Sequence, residues 1–191
     1  MRFSQAISEG DGISLIVDVA DAQAARAAAD QGAEAVTVRS AVAGLRDAIE
    51  LPILWRGPGS PTDAAAAGAD AWIVPVSDGD DDGHLLAAAH AEAVELGLDC
   101  VVEVHDEEEL ELALERLDPE IILFRVGSHD ADALQLALDL LPDVPAGKLA
   151  VAEVAVSGRE QVDELERAGV DAVIVGARSV AGLARDATPE V

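Results

Sequence analysis

Cysteine occurs once, at Cys100, so no disulfide can form within the chain, and the residue reads as a small core hydrophobe. Tyrosine is absent and aromatic residues make up only 2% of the sequence, which removes base-stacking platforms for nucleic acid. Lysine also occurs once, at Lys148; the other eleven basic residues are arginine. Against these 12 bases stand 38 acids, a formal net charge of −26, which excludes the basic patch that phosphate neutralisation needs. No apolar run approaches the ~20 residues of a membrane span. The opening Met1-Arg2-Phe3-Ser4-Gln5 lacks the apolar stretch of a signal peptide. The expectation is a cytoplasmic protein with neither nucleic-acid nor membrane partners; nothing in the sequence sets an oligomeric state. High acidity, scarce lysine and abundant alanine fit a salt-adapted cytoplasm, a GC-rich genome or a merely acidic soluble protein, and composition does not separate these.

Half the residues are apolar, enough for a sizeable core, and 191 residues suit one domain. A phrase recurs along the chain: glycine, small apolar residue, acid, alanine or cysteine, then an apolar run. Its copies are Gly32-Ala33-Glu34-Ala35-Val36, Gly68-Ala69-Asp70-Ala71-Trp72, Gly97-Leu98-Asp99-Cys100-Val101 and Gly169-Val170-Asp171-Ala172-Val173. Each glycine follows an amphipathic stretch, where a helix end favours a left-handed residue. Each apolar run is short and nearly continuous, as in strands buried on both faces. Eight such strands are predicted at 13–18, 35–39, 53–56, 71–76, 100–105, 121–125, 149–153 and 172–176. Helices are predicted at 22–31, 43–49, 62–67, 84–96, 107–116, 130–141 and 160–168. Eight alternating units point to a minimal (βα)8 TIM barrel as a single domain over 1–191, short against the usual ~250 residues. The third helix and the tail after Ser179 read as truncated. An open doubly wound sheet would want a glycine-rich turn after the first strand, and Asp18-Val19-Ala20-Asp21 is not one.

Residues at the carboxyl ends of barrel strands converge on one mouth. Here they are Asp18, Arg39, Arg56, Ser77, Glu103, Arg125, Glu153 and Gly176, with Arg178 two residues on. Four arginines at one face need partners, because a partly buried guanidinium is costly alone. Either they pair internally with Asp18, Glu103 and Glu153, or they hold an anionic ligand; the two can coexist. Glu103 shares a strand face with Val101 and should point inward, where a carboxylate among apolar walls can serve as a general base. His105, one step further out, can relay a proton or simply bond to a loop. His84, His90 and His129 lack metal-ligand spacing, and no metal or cofactor is implied. The loop 78–83 matches half of a calcium loop, but its twelfth position is Ala89 rather than glutamate, so it reads as a solvated acidic loop.

From Leu96 through Leu110, with Val101-Val102-Glu103-Val104-His105-Asp106 at its centre, the chain resembles the indole-3-glycerol-phosphate synthase family of ribulose-phosphate-binding TIM barrels. Ala152-Glu153 and the stretch Ala168 to Gly176 are similar to that family's seventh and eighth units. The likeness runs from about Ile13 and is stronger in the second half. The family closes an indole ring on a carboxyphenylamino-deoxyribulose phosphate, losing carbon dioxide and water. The resemblance implies that its strand-five and strand-seven glutamates are Glu103 and Glu153, and that Asp18 replaces its strand-one glutamate. It sets Ala20 where the family has a lysine, and Arg56 in place of the strand-three lysine that acts as general acid. The strand-six asparagine falls near Arg125, and the serine and glycine after the strand-seven glutamate at Val154 and Ala155. The phosphate-binding turn falls at Gly176, Ala177 and Arg178. The family's amino-terminal extension is reduced to about ten residues. Arginine stays protonated at any working pH, so Arg56 can hold charge but is a poor proton donor. Lys148 precedes strand seven and cannot substitute.

These readings lead to an indole-3-glycerol-phosphate-synthase-like barrel whose mouth takes a small phosphorylated or carboxylated ligand. Asp18, Arg56, Glu103 and Glu153 are the candidate catalytic groups. Arg39, His105, Arg125, Gly176, Ala177 and Arg178 are the candidate ligand-binding groups. Two functions remain in view: an enzyme with altered acid–base or lyase chemistry, and a non-catalytic binding, regulatory or scaffold barrel.

Overall fold

The recurring phrase organises the chain in two ways. In the computed structural model, which describes residues 2–9, 12–76, 84–125, 133–177, 180 and 183, its four glycines take left-handed backbone, with φ of 89° at Gly32, 80° at Gly68, 76° at Gly97 and 102° at Gly169. That conformation strains any residue with a Cβ, so each glycine ends a helix. Three of the four acids then reach to the strand before. Glu34 accepts the N–H of Leu15 at 2.8 Å, Asp70 that of Ile53 at 2.8 Å, and Asp171 that of Ala150 at 2.7 Å. Burial pushes the Glu34 and Asp171 carboxyls above the usual range, opposed by the amides they accept. The phrase is structural: it stops a helix and ties down a strand start.

The strands are β1 (Ser14–Asp18), β2 (Ala35–Val38), β3 (Ile53–Trp55), β4 (Ala71–Pro75), β5 (Asp99–Val104), β6 (Ile121–Phe124), β7 (Leu149–Ala152) and β8 (Ala172–Gly176). All pair in parallel in chain order, and β1 closes on β8, with Ile16 opposite both Ala35 and Ile174. The fold is a (βα)8 TIM barrel. Helices α1 (Phe3–Ser8), α2 (Ala22–Asp30), α3 (Leu45–Ala48), α4 (Pro61–Ala66), α5 (His84–Glu95), α6 (Glu107–Arg116), α7 (Ala133–Leu140) and α8 (Arg159–Ala168) complete it, with a 3-10 turn at Leu141–Asp143. No helix among the described residues is long and apolar enough to cross a membrane.

Alternation along the strands builds two cores. Ile16, Leu54, Val101, Leu123 and Val151 fill the barrel, while Val17, Trp55, Val102 and Phe124 pack outward under the helices. Both faces are therefore apolar, which is why the strands read as continuous runs. Cys100 lies in the outer layer, where burial raises its thiol to about 12 and leaves it unreactive at neutral pH.

The structure departs from the sequence reading in three places. First, the reading gave no element before residue 13, yet α1 plugs the amino-terminal end of the barrel. Phe3 and Ile7 are 0% and 2% exposed and join the interior core. Asp99, the fourth acid of the phrase, holds this plug by accepting the Ser4 N–H at 2.8 Å and the Arg2 guanidinium at 2.5 Å. Six residues are too few for a helical period to register. Second, α3 is a single turn after Gly44 rather than a helix over 43–49. Third, β2, β3, β4, β5, β6 and β7 stop one residue early, leaving Arg39, Arg56, Val76, His105, Arg125 and Glu153 just past the ladder. The N–H groups of Arg56, Arg125 and Glu153 still bond to Val38, Val104 and Phe124 at 2.9, 3.0 and 2.9 Å, so these residues remain anchored at the rim.

Candidate functional site

At the carboxyl rim the alternation that fills the core delivers charge instead. Strands β3 and β7 stand on opposite sides of an eight-strand ring, and Arg56 Nη2 meets Glu153 Oε2 across it at 2.5 Å. The two side chains are 4% and 15% exposed. From β6, Arg125 places Nε 3.4 Å from the same glutamate oxygen and donates through Nη1 to Glu103 Oε1 at 3.2 Å. His105 Nε2 lies 3.5 Å from that Glu103 oxygen, and its Nδ1 is 2.8 Å from Glu109 Oε2. A continuous chain of charged and polar groups, Arg56–Glu153–Arg125–Glu103–His105–Glu109, thus spans the mouth. Beside it, Arg39 donates through Nε and Nη2 to one oxygen of Asp18 at 3.1 and 3.0 Å. Three guanidinium groups face three carboxylates, so the internal pairing open to the sequence is present. Burying such charges is tolerable only because they are paired. Even so, Arg56 Nη1 is buried without a hydrogen-bond partner among the described residues.

Local sequence fixes this geometry. Asp106 caps α6 by accepting the Glu109 N–H at 2.9 Å, and Glu109 reaches back to accept the His105 N–H at 2.7 Å. One helix start therefore orients both His105 and its partner. Asp21 caps α2 in the same way through the Ala24 N–H at 2.8 Å, which sets the turn carrying Ala20. Gly57 lets β2 and β3 approach backbone to backbone. A Cβ there would lie 2.4 Å from the Arg39 carbonyl oxygen, so glycine is required to hold Arg39 and Arg56 side by side.

A cavity of about 380 Å³ opens beside this network, lined by Asp18, Arg39, Arg125, Glu153, Ile174, Gly176 and the segment 154–156. A Cβ at Gly176 would meet nothing within 4 Å, so the glycine leaves its backbone open to that space. A second cavity of about 400 Å³ is bounded by Asp18, Val19, Ala20, Arg39, Ser40 and Val42. The Asp18–Arg39 pair lines both.

Asp18, Arg39, Arg125, Glu153 and Gly176 therefore share one cavity, while Arg56, Glu103 and His105 belong to the adjoining network. Glu103 points inward as expected and is 5% exposed. Ala177 follows Gly176 on the exposed rim. Ser77, the acidic loop 78–83, His129 and Arg178 lie outside the described residues. Lys148 pairs with Asp118 at 2.6 Å just before β7, at the far end of the barrel. Among the described residues no group of three or more His, Cys, Asp or Glu side chains could hold a metal ion. The sequence reading missed Glu109 and Gly57. The first was signalled by the His105–Glu109 spacing of four residues, the second by the Arg56-Gly57-Pro58-Gly59 turn.

Comparison with known proteins agrees with the fold. The chain is similar in fold to the N-acetylmannosamine-6-phosphate 2-epimerase of Clostridium perfringens, at a TM-score of 0.74 and 13% identity, over 96% of this chain and 91% of that one. It is also similar to a thiamine phosphate pyrophosphorylase from Pyrococcus furiosus, at a TM-score of 0.65 and 18% identity, over 88% of each chain. A wild-type GGGPS from Thermoplasma volcanium matches at a TM-score of 0.65 and 12% identity, over 96% of this chain and 94% of that one. Identities this low speak for the fold alone. The family model described as indole-3-glycerol phosphate synthase matches residues 62–185, about two thirds of the sequence, and the chain belongs to that family.

Proposed function

We propose that this barrel binds a small phosphorylated or carboxylated molecule in the cavity beside Gly176, and that its indole-forming lyase activity is very weak or absent. The observation that carries the binding half is the cavity itself: open glycine backbone on one wall, Arg39 and Arg125 on the others. A protein of net charge −26 repels anions over most of its surface, so capture must depend on these few cations. Two structural neighbours, an N-acetylmannosamine-6-phosphate 2-epimerase and a thiamine phosphate pyrophosphorylase, are named for phosphate compounds, which supports the same ligand class. Ala177, next along the chain, would extend the site, and the ligand-binding role that the resemblance implies for Arg178 belongs to the same proposal.

The lyase half rests on residue chemistry. The resemblance puts general-acid work at position 56, where Arg56 is permanently protonated and already bound to Glu153. At position 20 it leaves alanine where a lysine would meet the substrate carboxylate. Glu103 and His105 remain as a proton-transfer pair, which would suit altered acid–base chemistry. The tying of all three candidate carboxylates to arginines favours a second reading, a barrel that binds without catalysis.

Calorimetry with inorganic phosphate and ribulose phosphate tests binding. Arg125→Ala should weaken it by about 1–3 kcal/mol, the worth of a charged hydrogen bond, and Gly176→Val should block the cavity without unfolding the barrel. Arg116→Ala and Arg167→Ala, on the outer helices, should change little. Equal losses from rim and outer arginines, or no binding at millimolar ligand, would leave the network as internal ion pairs only. For the lyase, a tryptophan auxotroph lacking the enzyme should not be rescued; robust growth would show that another group supplies the proton.

A further inference from the structure

The three arginines described at the mouth are not equally free to meet a ligand. Arg56 is 4% exposed and held across the barrel by Glu153, so drawing it away would strand a buried carboxylate. Arg125 is shared between Glu103 and Glu153, and moving it would loosen both. Arg39 is different. It is 60% exposed, its only ion-pair partner among the described residues is Asp18, and that partner is itself 28% exposed. Both of its bonds go to a single Asp18 oxygen, and Nη1 has no partner among the described residues. An ion pair this open to water is weakly held and exchanges readily. Space is at hand, since the pair borders a cavity on either side. The backbone under Arg39 is pinned by its contact with Gly57, so only the side chain would have to swing.

We propose that Arg39 is the exchangeable cation of the mouth and Asp18 its resident competitor, so that an incoming oxyanion takes the place of the Asp18 carboxylate on Arg39. This deepens the anion-binding reading above and rests on it. It also gives Asp18 a different role from the catalytic one that the family resemblance implies. The affinity observed for an oxyanion is then its intrinsic affinity for Arg39 reduced by the Asp18 pairing, because the same guanidinium N–H groups cannot serve both. Removing the Asp18 charge should release that brake, and the release should require Arg39.

Titration of inorganic phosphate by calorimetry into the wild type, Asp18→Asn, Arg39→Ala and the double variant tests this, with thermal melts to confirm folding of each. Asp18→Asn is expected to tighten phosphate binding about three- to tenfold, which is of the size of an exposed ion pair plus relief of nearby repulsion. In the Arg39→Ala background the same change should have little effect. Phosphate binding by Asp18→Asn but not by the wild type would support the exchange in its strongest form. Wild-type binding that Asp18→Asn leaves unchanged or weakens would overturn the exchange while sparing the anion site. Equal tightening with and without Arg39 would also overturn it, reducing Asp18 to a source of general repulsion. If neither the wild type nor Asp18→Asn binds phosphate, the anion site and the exchange fall together.

Discussion

Arg56→Met is expected to destabilise the barrel by about 3–5 kcal/mol, seen as a melting temperature lowered by roughly 10 °C. Methionine keeps the length and the apolar stem but leaves Glu153, 15% exposed, without its 2.5 Å partner. Arg125 Nε, at 3.4 Å from Glu153, compensates only in part. The double variant Arg56→Met/Glu153→Leu should recover most of the loss, since an apolar pair of similar volume removes both charges and the unmatched Nη1 donor together. A double variant as unstable as the single one would show that shape at the rim, not charge pairing, sets the cost.

Phe3→Ala is expected to cost a comparable 3–5 kcal/mol, roughly the loss for a fully buried phenylalanine. Phe3 is 0% exposed and packs with Ile7 onto the interior core, so truncation would leave a void at the amino-terminal end. Phosphate binding at the opposite end should persist at temperatures where the variant is folded. A change within about 0.5 kcal/mol of wild type, the range of ordinary surface substitutions, would mean that α1 does not hold the barrel closed.

The β/α alternation was legible because each repeat states both ends of the connection: a glycine that stops the helix, then an apolar run that must be buried on both sides. The inward aim of Glu103 was legible for a related reason, the strict two-residue period of a strand. Pairing at the mouth was harder to read. Sequence places Arg39, Arg56 and Arg125 at strand ends, but the partner each arginine finds depends on how the strands close. Arg56 meets Glu153 rather than nearer acids because β3 and β7 face each other across the closed ring. The α1 plug escaped notice because six residues carry no period, and its anchor Asp99 looks in sequence like any other copy of the recurring phrase. Gly57 escaped because the Arg56-Gly57-Pro58-Gly59 pattern signals a turn without showing how closely the Arg39 backbone approaches it.

The rim cavity beside Gly176 is proposed to hold an oxyanion. A crystal structure of the protein grown or soaked with inorganic phosphate tests it most directly. Phosphate is expected in that cavity, against the Gly176 backbone and within hydrogen-bond distance of Arg39 or Arg125, and absent from crystals of Gly176→Val. Phosphate bound only elsewhere, or a cavity that stays free of it at millimolar concentration with the Arg39–Asp18 pair intact, would contradict it.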